Sequence, residues 1–532
     1  MRKIVSRLTF IGSLVLFALT AVFAQPELDI SFNASGTATV DFGQGNDVAF
    51  DVLVQPDNKI VAVGTTSTSS SPRFFALTRF NTNGAMDTTF GDNGRVITDF
   101  NANAVNEGAF AAAMQPDGKI IAAGYVSIIS PGEGYFALAR YNPNGSLDTT
   151  FGSGGKVLTA VFQHINEARA VTVAQDGQIF AAGYYFGGNQ NFQSLVARYS
   201  TNGTLQDTFG DFQGIDLGTE NILRAVAIQP DGKIVTGGNF RQSFSSPSSA
   251  DAKVLRFNAD GTLDSSFGSS GRVLISSPTI SEAVNVIALL PDGRVVAGGY
   301  SGQDFLVMRF NANGSSDTTF GGGTGRVTTP MGSDSQVNSI IVKPNGKILV
   351  SGSSGLNSGV VSYNTDGSLD TSFSGDGKLI IPFGAANGMA LDSLGRTVLG
   401  GTANGMFAVS RLYTLEPTLV TVTGQTVNPQ GTPLRNIRVG LTGPDGQTRW
   451  AITSAFGFFV FDNVPTGQTY TLFVRGSKHY FFETRTFGLN EAIDNLSLIG
   501  TPIEHRRGRD NSVLNERKRI STPVVFEGKK YE

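Results

Sequence analysis

Short hydrophobic runs alternate with polar turns from residue 28 to residue 413, and the pattern predicts β-strands throughout. In one representative stretch, alternating runs cover residues 94–100, 109–115, 119–125 and 135–142. The turn Asp117-Gly118 between the second and third runs is a strong signal for a β-hairpin. No amphipathic period of 3.6 residues competes with this alternation. The pattern therefore predicts four strands in each such stretch.

Three short phrases recur along the same region in a fixed order, and each occurs seven times. They read LDTTFG, QPDGK and ARYN in well-preserved copies, and the phenylalanine of the first returns at intervals of 53 to 61 residues. Four strands in each of seven repeats predict a seven-bladed β-propeller within an all-β chain. A β-solenoid is the alternative, although its repeats are usually shorter and contain fewer turns.

The phrases LDTTFG, QPDGKI and FALARYN resemble the delta-60 repeat, a family of bacterial β-propellers of largely unassigned function. The resemblance covers about residues 28–413 and rests on three phrases in constant order. It implies the propeller fold and supplies no catalytic residues.

The repeated residues themselves suggest architectural roles. We expect the phenylalanines to anchor the core and the aspartates three residues before them to fix turns through backbone hydrogen bonds. We expect the repeated arginines to pair with these aspartates or to bond carbonyls within or between blades. Two copies depart from the pattern, because Ser362 replaces an arginine and Asp207 precedes its phenylalanine by two residues. A ring of calcium ligands is the alternative, but no calcium-loop motif is present.

Strand alternation places the uniform turns at one end of the ring and the variable connections at the other. We expect the variable end to be the recognition face, since loops on a rigid scaffold commonly carry binding. Tyr125, Tyr184 and Tyr300 share one repeat position at the start of these connections, and their rings are candidates for contact with a sugar or peptide. The alternative is that the loops vary without constraint and the tyrosines cover blade edges.

Catalytic chemistry has little support in the sequence. The chain has no cysteine and three histidines, of which His164 lies close to Glu167. Motifs for zinc proteases, serine hydrolases and P-loop enzymes are missing. We therefore predict no catalytic residue, no metal ligand and no cofactor, and leave a glycan lyase or hydrolase at the propeller axis as an alternative function.

The N-terminus predicts export. Residues 1–24 combine a basic start, an apolar run and a small-residue cleavage site between Ala24 and Gln25, which is typical of a secretory signal peptide. An uncleaved membrane anchor is the alternative, but the apolar run is short for a span. No later segment is apolar enough to cross a bilayer. We expect an extracellular or cell-surface location.

After the propeller (residues 25–413), the chain changes character. Residues 414–417 form a linker, and residues 418–502 alternate as in a small β-sandwich. The segment from Thr453 to Leu472 resembles the carboxypeptidase regulatory-like domain, a transthyretin-type sandwich, which implies a non-catalytic accessory module. Residues 503–532 form a polar tail that we expect to be mobile.

The formal net charge of −3 gives no electrostatic support for a nucleic-acid partner. The sequence thus predicts an exported monomer that serves as a non-enzymatic binding or adhesion scaffold, with a glycan, a peptide or a cell-envelope component as its unknown partner. A purely structural envelope spacer is the third alternative.

Overall fold

The computed structural model describes most of the chain between residues 28 and 503. The described ranges are 28–43, 45–67, 73–100, 104–128, 133–161, 165–186, 191–211, 220–241, 250–277, 279–413, 419–443, 448–465, 468–475, 477, 479–489 and 492–503. Within them, regular structure is β-strand except for a 3-10 turn at Gly321–Gly323. In this part of the chain no helix has the length and apolar character needed to span a bilayer. The predicted signal peptide and the polar tail lie outside the described residues.

Two compact units divide the chain, residues 1–417 and residues 418–532. The first unit is a β-propeller of four-stranded antiparallel blades, and seven such sheets lie among its described residues. The strands of the first three complete sheets are β2 (Val48–Val54), β3 (Ile60–Ser67), β4 (Arg73–Phe80), β5 (Arg95–Thr98), β6 (Ala104–Met114), β7 (Ile120–Ile128), β8 (Gly134–Tyr141), β9 (Lys156–Thr159), β10 (Asn166–Val173), β11 (Ile179–Phe186), β12 (Phe192–Tyr199) and β13 (Leu205–Phe209).

The next three sheets follow the same order. Their strands are β14 (Glu220–Ile228), β15 (Ile234–Arg241), β16 (Asp251–Phe257), β17 (Arg272–Ile275), β18 (Glu282–Leu289), β19 (Val295–Ser301), β20 (Asp304–Phe310), β21 (Arg326–Thr329), β22 (Gln336–Val342), β23 (Ile348–Ser354), β24 (Asn357–Tyr363) and β25 (Lys378–Ile381). The remaining sheet combines β1 (Thr37–Val40) with β26 (Ala386–Leu391), β27 (Thr397–Ala403) and β28 (Met406–Leu412).

The strand that precedes each QPDGK-type turn is the innermost strand of its sheet. These strands are β2, β6, β10, β14, β18, β22 and β26, and each lies at one edge of its sheet. Each contacts the equivalent strands of both neighbouring sheets, and β26 contacts β2, so that the contacts close into a ring. The ring defines a central axis, and the position of the innermost strand was left open by the sequence pattern.

Sequence repeats and sheets are out of phase by one strand. The run predicted at residues 94–100 is β5, and it pairs with β4 of the preceding sheet rather than with β6. The same offset closes the ring, because β1 near the N-terminus pairs antiparallel with β28 as the outermost strand of the last sheet. Each sequence unit therefore links two neighbouring sheets.

The hydrophobic core lies between adjacent sheets. One cluster contains Ile121 and Ala123 of one sheet and Ile179 and Ala181 of the next. The ring of Phe151 is buried in the same cluster. The repeated phenylalanines are buried as predicted, and their exposed fractions lie between 0% and 9%. Truncating such a ring typically costs about 3–5 kcal/mol. The fold thus depends on the repeat phrase LDTTFG at every sheet boundary.

A clamp of arginine, aspartate and phenylalanine recurs at these boundaries, and its arginine–aspartate pairs and arginine–carbonyl bonds are those expected from the sequence. In the first copy, Arg79 donates from Nε to Asp87 at 2.7 Å and from Nη1 to the carbonyl of Pro143 in the next sheet. Its guanidinium also lies 4.7 Å from the ring centroid of Phe90. Burial opposes ionisation of Asp87, but hydrogen bonds from Thr89 and Lys59 and the charge of Arg79 hold its pKa well below the usual range. The repeated charges are therefore used within the architecture.

Both departures from the repeat have structural counterparts. Around Asp207 the phrase itself becomes strand β13, which pairs with β12 with a register shift, and Arg198 bonds Asp207 directly. In the other copy, Ser362 donates to Asp370 at 3.0 Å, and Lys347 completes the ion pair at 2.9 Å. The clamp is thus modified locally without loss of the sheet.

The described residues of the second unit form a three-stranded, a four-stranded and a two-stranded sheet. Their strands are β29 (Leu419–Val427), β30 (Arg438–Thr442), β31 (Thr448–Ile452), β32 (Phe458–Pro465), β33 (Gln468–Val474), β34 (Tyr480–Phe481), β35 (Arg485–Leu489), β36 (Ile493–Ile499) and β37 (Thr501–Pro502). Val422 and Phe459 of the three-stranded sheet share one hydrophobic cluster with Val439 and Leu472 of the four-stranded sheet.

Candidate functional site

Every innermost strand carries a β-bulge at the same repeat position. A bulge breaks the regular pairing and re-aims the side chain of the extra residue, and bulges are often found beside functional sites. The bulge residues are Phe50, Phe110, Arg169, Arg224, Asn285, Asn338 and Asn387. All seven are partly exposed although their strands are the innermost ones. They form a ring of side chains around the axis.

A glycine on the second strand makes each bulge possible. A Cβ at Gly124 would lie 1.7 Å from the carbonyl oxygen of Gly108, and equivalent glycines face the inner strand equally closely in the other sheets. Each glycine follows its bulge residue by fourteen positions, as Gly183 follows Arg169. The recurrent glycine is the signal in the sequence that marks the bulge, and sequence reasoning missed it.

Three neighbouring bulge residues are asparagines that join the inner strands. Asn285 donates to the carbonyl of Val337 at 3.0 Å, Asn338 to that of Ala386 at 3.2 Å, and Asn387 to that of Ala49 at 2.9 Å. Each bond crosses to the next sheet at the same position. This side of the ring therefore serves the closure of the propeller.

The other four bulge residues break the pattern with aromatic and cationic side chains. Phe50 meets Phe110 edge to face at 5.2 Å between ring centroids. Phe110 also stacks on Tyr125, with centroids 5.3 Å apart and ring planes 13° from parallel. The guanidinium of Arg169 lies 4.1 Å from the centroid of Phe110. Stacked rings and a cation thus occupy one side of the axis, an arrangement worth about 0.5–2 kcal/mol per contact.

Arg169 is held by the residues beside it. It pairs with Glu167, and its Nη2 donates to the hydroxyl of Tyr184 at 3.4 Å. Glu167 and Tyr184 face each other across the pair of strands β10 and β11. Burial and the negative charge of Glu167 raise the pKa of Tyr184 to about 12. Tyr184 is therefore a neutral hydrogen-bonding group at physiological pH.

A chain of hydrogen-bonded polar side chains fixes the orientation of Arg224. Its Nε donates to Oδ1 of Asn239 at 3.1 Å, and the amide of Asn239 donates to Glu220 at 3.1 Å. Arg241 lies 3.6 Å from the same carboxylate. Burial lowers the pKa of Arg224, and the neighbouring phenol of Tyr300 opposes that effect. Among the described residues, Arg224 makes this one hydrogen bond and no ion pair.

The three predicted tyrosines all lie next to bulge residues, on the second strands of their sheets. Tyr125 and Tyr300 are partly exposed, whereas Tyr184 is 7% exposed and packs edge to face on Phe192 at 5.2 Å. Tyr125 and Tyr184 share their sheets with Phe110 and Arg169, whereas Tyr300 lies in the sheet of Asn285 and neighbours Arg224 of the preceding sheet. We call Phe110, Tyr125, Arg169, Tyr184, Arg224 and Tyr300 the axial cluster. Phe110, Arg169 and Arg224 were not anticipated from the sequence.

Other sequence candidates fall largely outside the structure. His164 and most of the variable connections, including residues 68–72, 129–132, 187–190 and 242–249, lie outside the described residues. In the described part of the chain, no group of three or more histidine, cysteine, aspartate or glutamate side chains is placed to hold a metal ion. The axial cluster is therefore the candidate site that the structure provides.

Comparison with known proteins agrees with this architecture. Six segments match the family described as "Domain of unknown function (DUF5122) beta-propeller", at residues 55–90, 115–151, 174–209, 229–267, 290–320 and 343–373. No curated protein matches the chain.

The solved structures that resemble the chain are distant from it in sequence. The WD40 propeller domain of Doa1 is 12% identical, with a TM-score of 0.40, over 71% of this chain and 97% of that one. Polysaccharide lyase Uly1 is 12% identical, with a TM-score of 0.40, over 69% and 90%. PorZ, a surface component of the type-IX secretion system of Porphyromonas gingivalis, is 10% identical, with a TM-score of 0.39, over 87% and 60%. Six repeats of the first unit thus match the family model described as a DUF5122 beta-propeller.

Proposed function

We propose that the protein is an exported, non-enzymatic binding scaffold that recognises a glycan, a peptide or a cell-envelope component at the axial cluster. The observation that carries this proposal is that aromatic and arginine side chains depart from the repeat on one side of the axis. The repeated charges are used in clamps between sheets, whereas Arg224 keeps guanidinium donors without a protein partner among the described residues. A few polar groups placed among aromatic side chains are typical of ligand-binding sites.

The seven sheets of the first unit are the seven blades of one propeller of delta-60 type, and residues 418–502 form a carboxypeptidase regulatory-like sandwich. Residues 1–24 direct export, so the mature monomer acts outside the cell or at its surface. The bulges lie near the start of each inner strand, the end at which strand alternation predicts the variable connections.

A ligand screen with two tyrosine variants tests the proposal. Tyr125→Ala and Tyr300→Ala remove aromatic surface from the cluster and should weaken binding to any glycan or peptide found in the screen. Tyr413→Ala is the matched control, since Tyr413 is 42% exposed and lies at the end of the last blade. Binding that is unchanged by both cluster variants would place recognition elsewhere and contradict the proposal.

A structural spacer does not need such a cluster. An extracellular enzyme does, and one observation favours an enzyme as the second candidate function. Glu167, Arg169 and Tyr184 bring a carboxylate, a guanidinium and a phenol into contact at the axis. These groups are suited to a glycan lyase or hydrolase. Incubating the protein with a bound oligosaccharide and measuring cleavage by mass spectrometry distinguishes the two functions, because a scaffold leaves the ligand intact.

A further inference from the structure

We propose that the Nη edge of Arg224 binds the carboxylate of a uronic acid, so that the ligand of the axial cluster is an acidic glycan. This inference rests on the proposed function and names its ligand class. It concerns Arg224 rather than Arg169, although the two occupy equivalent positions in neighbouring blades.

The two arginines differ in whether a protein group already balances their positive charge. Arg169 is paired with Glu167 and stacked on Phe110. Arg224 has no ion pair among the described residues, and its one hydrogen bond there leaves from Nε. Within the described part of the chain its Nη groups donate to no protein atom, and a guanidinium binds a planar oxyanion through two parallel hydrogen bonds.

Arg224 is also held in place before any ligand arrives. Asn239, which accepts from Nε, is 1% exposed, and its amide is fixed by Glu220. Glu220 in turn lies near Arg241, and the positive charge of Arg241 partly balances the negative charge of the Glu220 carboxylate. A guanidinium that is fixed in this way loses little freedom on binding, and preorganisation of this kind raises affinity.

The neighbouring blade supplies an aromatic surface. Tyr300 is partly exposed, affects the ionisation of Arg224, and makes no hydrogen bond through its hydroxyl among the described residues. A ligand must therefore present a carboxylate and a flat apolar face close together. A uronic acid carries both on one pyranose ring, whereas an acidic peptide carries its carboxylates on flexible side chains.

Two matched saccharides test the charge requirement. Tetragalacturonate should bind the full chain in isothermal titration, and binding should weaken as salt screens the charge. Its fully methyl-esterified form keeps the sugar rings and removes the charges, and it should bind at least tenfold more weakly, the order expected for hydrogen bonds to a charged group. Equal affinity for the two saccharides would overturn the inference.

Variants locate the anchor. Arg224→Gln keeps a hydrogen-bonding side chain and should weaken tetragalacturonate binding by about tenfold to a hundredfold, with little effect on the ester. Tyr300→Ala should weaken both saccharides alike. Arg294→Gln is the control, because Arg294 is an arginine beside a uniform turn and is paired with Asp292. An unchanged affinity in Arg224→Gln, or an equal loss for acid and ester, would overturn the assignment.

The outcomes separate this inference from the proposed function. If tetraglutamate binds as well as tetragalacturonate and responds to Arg224→Gln, the axial cluster is a binding site but its ligand is not a glycan. If a neutral glycan from the screen binds and responds to Tyr300→Ala alone, the proposed function stands and the inference fails. If no ligand responds to any cluster variant, both fail.

Discussion

Arg411 donates from Nε to Oδ2 of Asp29 at 2.7 Å, and the two residues are 382 positions apart in the sequence. The pair is the last copy of the clamp between sheets, and Arg411 also lies over the ring of Phe32 at 4.8 Å. Its aspartate comes from the first described turn and its arginine from the last strand of the propeller. One copy of a local repeat device thus joins the two ends of the domain.

Asp29→Asn should therefore loosen the ring closure. Asp29 is fully buried and Arg411 is 2% exposed, and removing one charge of a buried pair typically costs about 3–5 kcal/mol. We expect a loss of that order in the free energy of unfolding, measured by denaturant titration. We also expect faster amide hydrogen exchange in strand β1, which is held by β28.

Asp260→Asn provides the comparison for ring closure. Asp260 is an exposed turn aspartate that accepts from Thr262 at 2.6 Å, and its replacement should leave the free energy of unfolding close to that of the wild type. A variant at Asp29 that is no less stable than this control would show that the ends are held by β1 and β28 alone.

Much of the propeller could be predicted because its signals are local. The Asp-Gly turns mark hairpins, and the spacing of arginine, aspartate and phenylalanine marks the clamp. The pairing of β5 with the preceding sheet could not be predicted. A repeating sequence gives the length of the repeat but does not show at which strand one sheet ends and the next begins. Likewise, Leu205–Phe209 becomes a strand only because it pairs with β12.

The candidate site could be predicted in part. The repeat position of Tyr125, Tyr184 and Tyr300 showed that they lie on the second strands of their sheets, because the repeat fixes the strand but not the side of the ring. Their exposure could not be read from the sequence, and Tyr184 is in fact buried by Phe192 and its neighbours. The arginines of the cluster were missed because each bulge inserts one extra residue, which shifts the alternation of the strand by one at that point.

Gly124→Ala should destabilise the protein severely. The added Cβ would lie 1.7 Å from the carbonyl oxygen of Gly108, an atom of the backbone that cannot move without breaking the bulge. We expect a loss of several kcal/mol, as for overpacking of a tight site, in thermal or chemical unfolding. Gly154→Ala is the control. A Cβ added at Gly154 would have no atom within 4 Å, and only the φ of 62° at that residue opposes the change. A loss near 1 kcal/mol in both variants would show that the bulge can relax.

Lys253 introduces a buried amine where other blades have apolar residues such as Leu195 and Leu306. It is fully buried, and its Nζ donates at 2.6 Å to Oγ of Ser194, which donates to Asn221 at 2.5 Å. Burial lowers the pKa of Lys253 to about 7. The unfolded chain therefore binds more protons between about pH 7 and 10.5, and the free energy of unfolding should rise with pH in that window.

Lys253→Leu should remove this pH dependence and stabilise the protein at pH 7. The expected gain is a few kcal/mol at most, since one pKa unit corresponds to about 1.4 kcal/mol. Denaturant titrations at pH 7 and pH 9 measure both effects, and Lys378→Leu, at a partly exposed lysine of β25, should keep the wild-type difference. A Lys253→Leu variant that retains the full rise between these pH values would show that Lys253 is charged when buried.

Asp51 has the opposite effect on the pH dependence of stability, and it acts at lower pH than Lys253. It follows the bulge in β2, where its carboxylate accepts from the backbone of Ala112 at 2.9 Å and of Val52 at 2.8 Å. Burial raises the pKa of Asp51 from 3.8 to about 6. The folded protein then binds more protons than the unfolded chain between about pH 4 and 6, so this group lowers the free energy of unfolding as pH rises through that window.

Asp51→Asn should abolish that contribution whatever its effect on absolute stability. An amide has only one oxygen, so one of the two backbone donors is left without its partner and the variant is expected to be less stable at pH 4, where the wild-type carboxyl is protonated. The informative quantity is the difference in unfolding free energy between variant and wild type, measured from pH 4 to pH 6.5. It should shift in favour of the variant by about 1–3 kcal/mol as pH rises. A difference that stays constant across this range would show that Asp51 is ionised normally beside the axis.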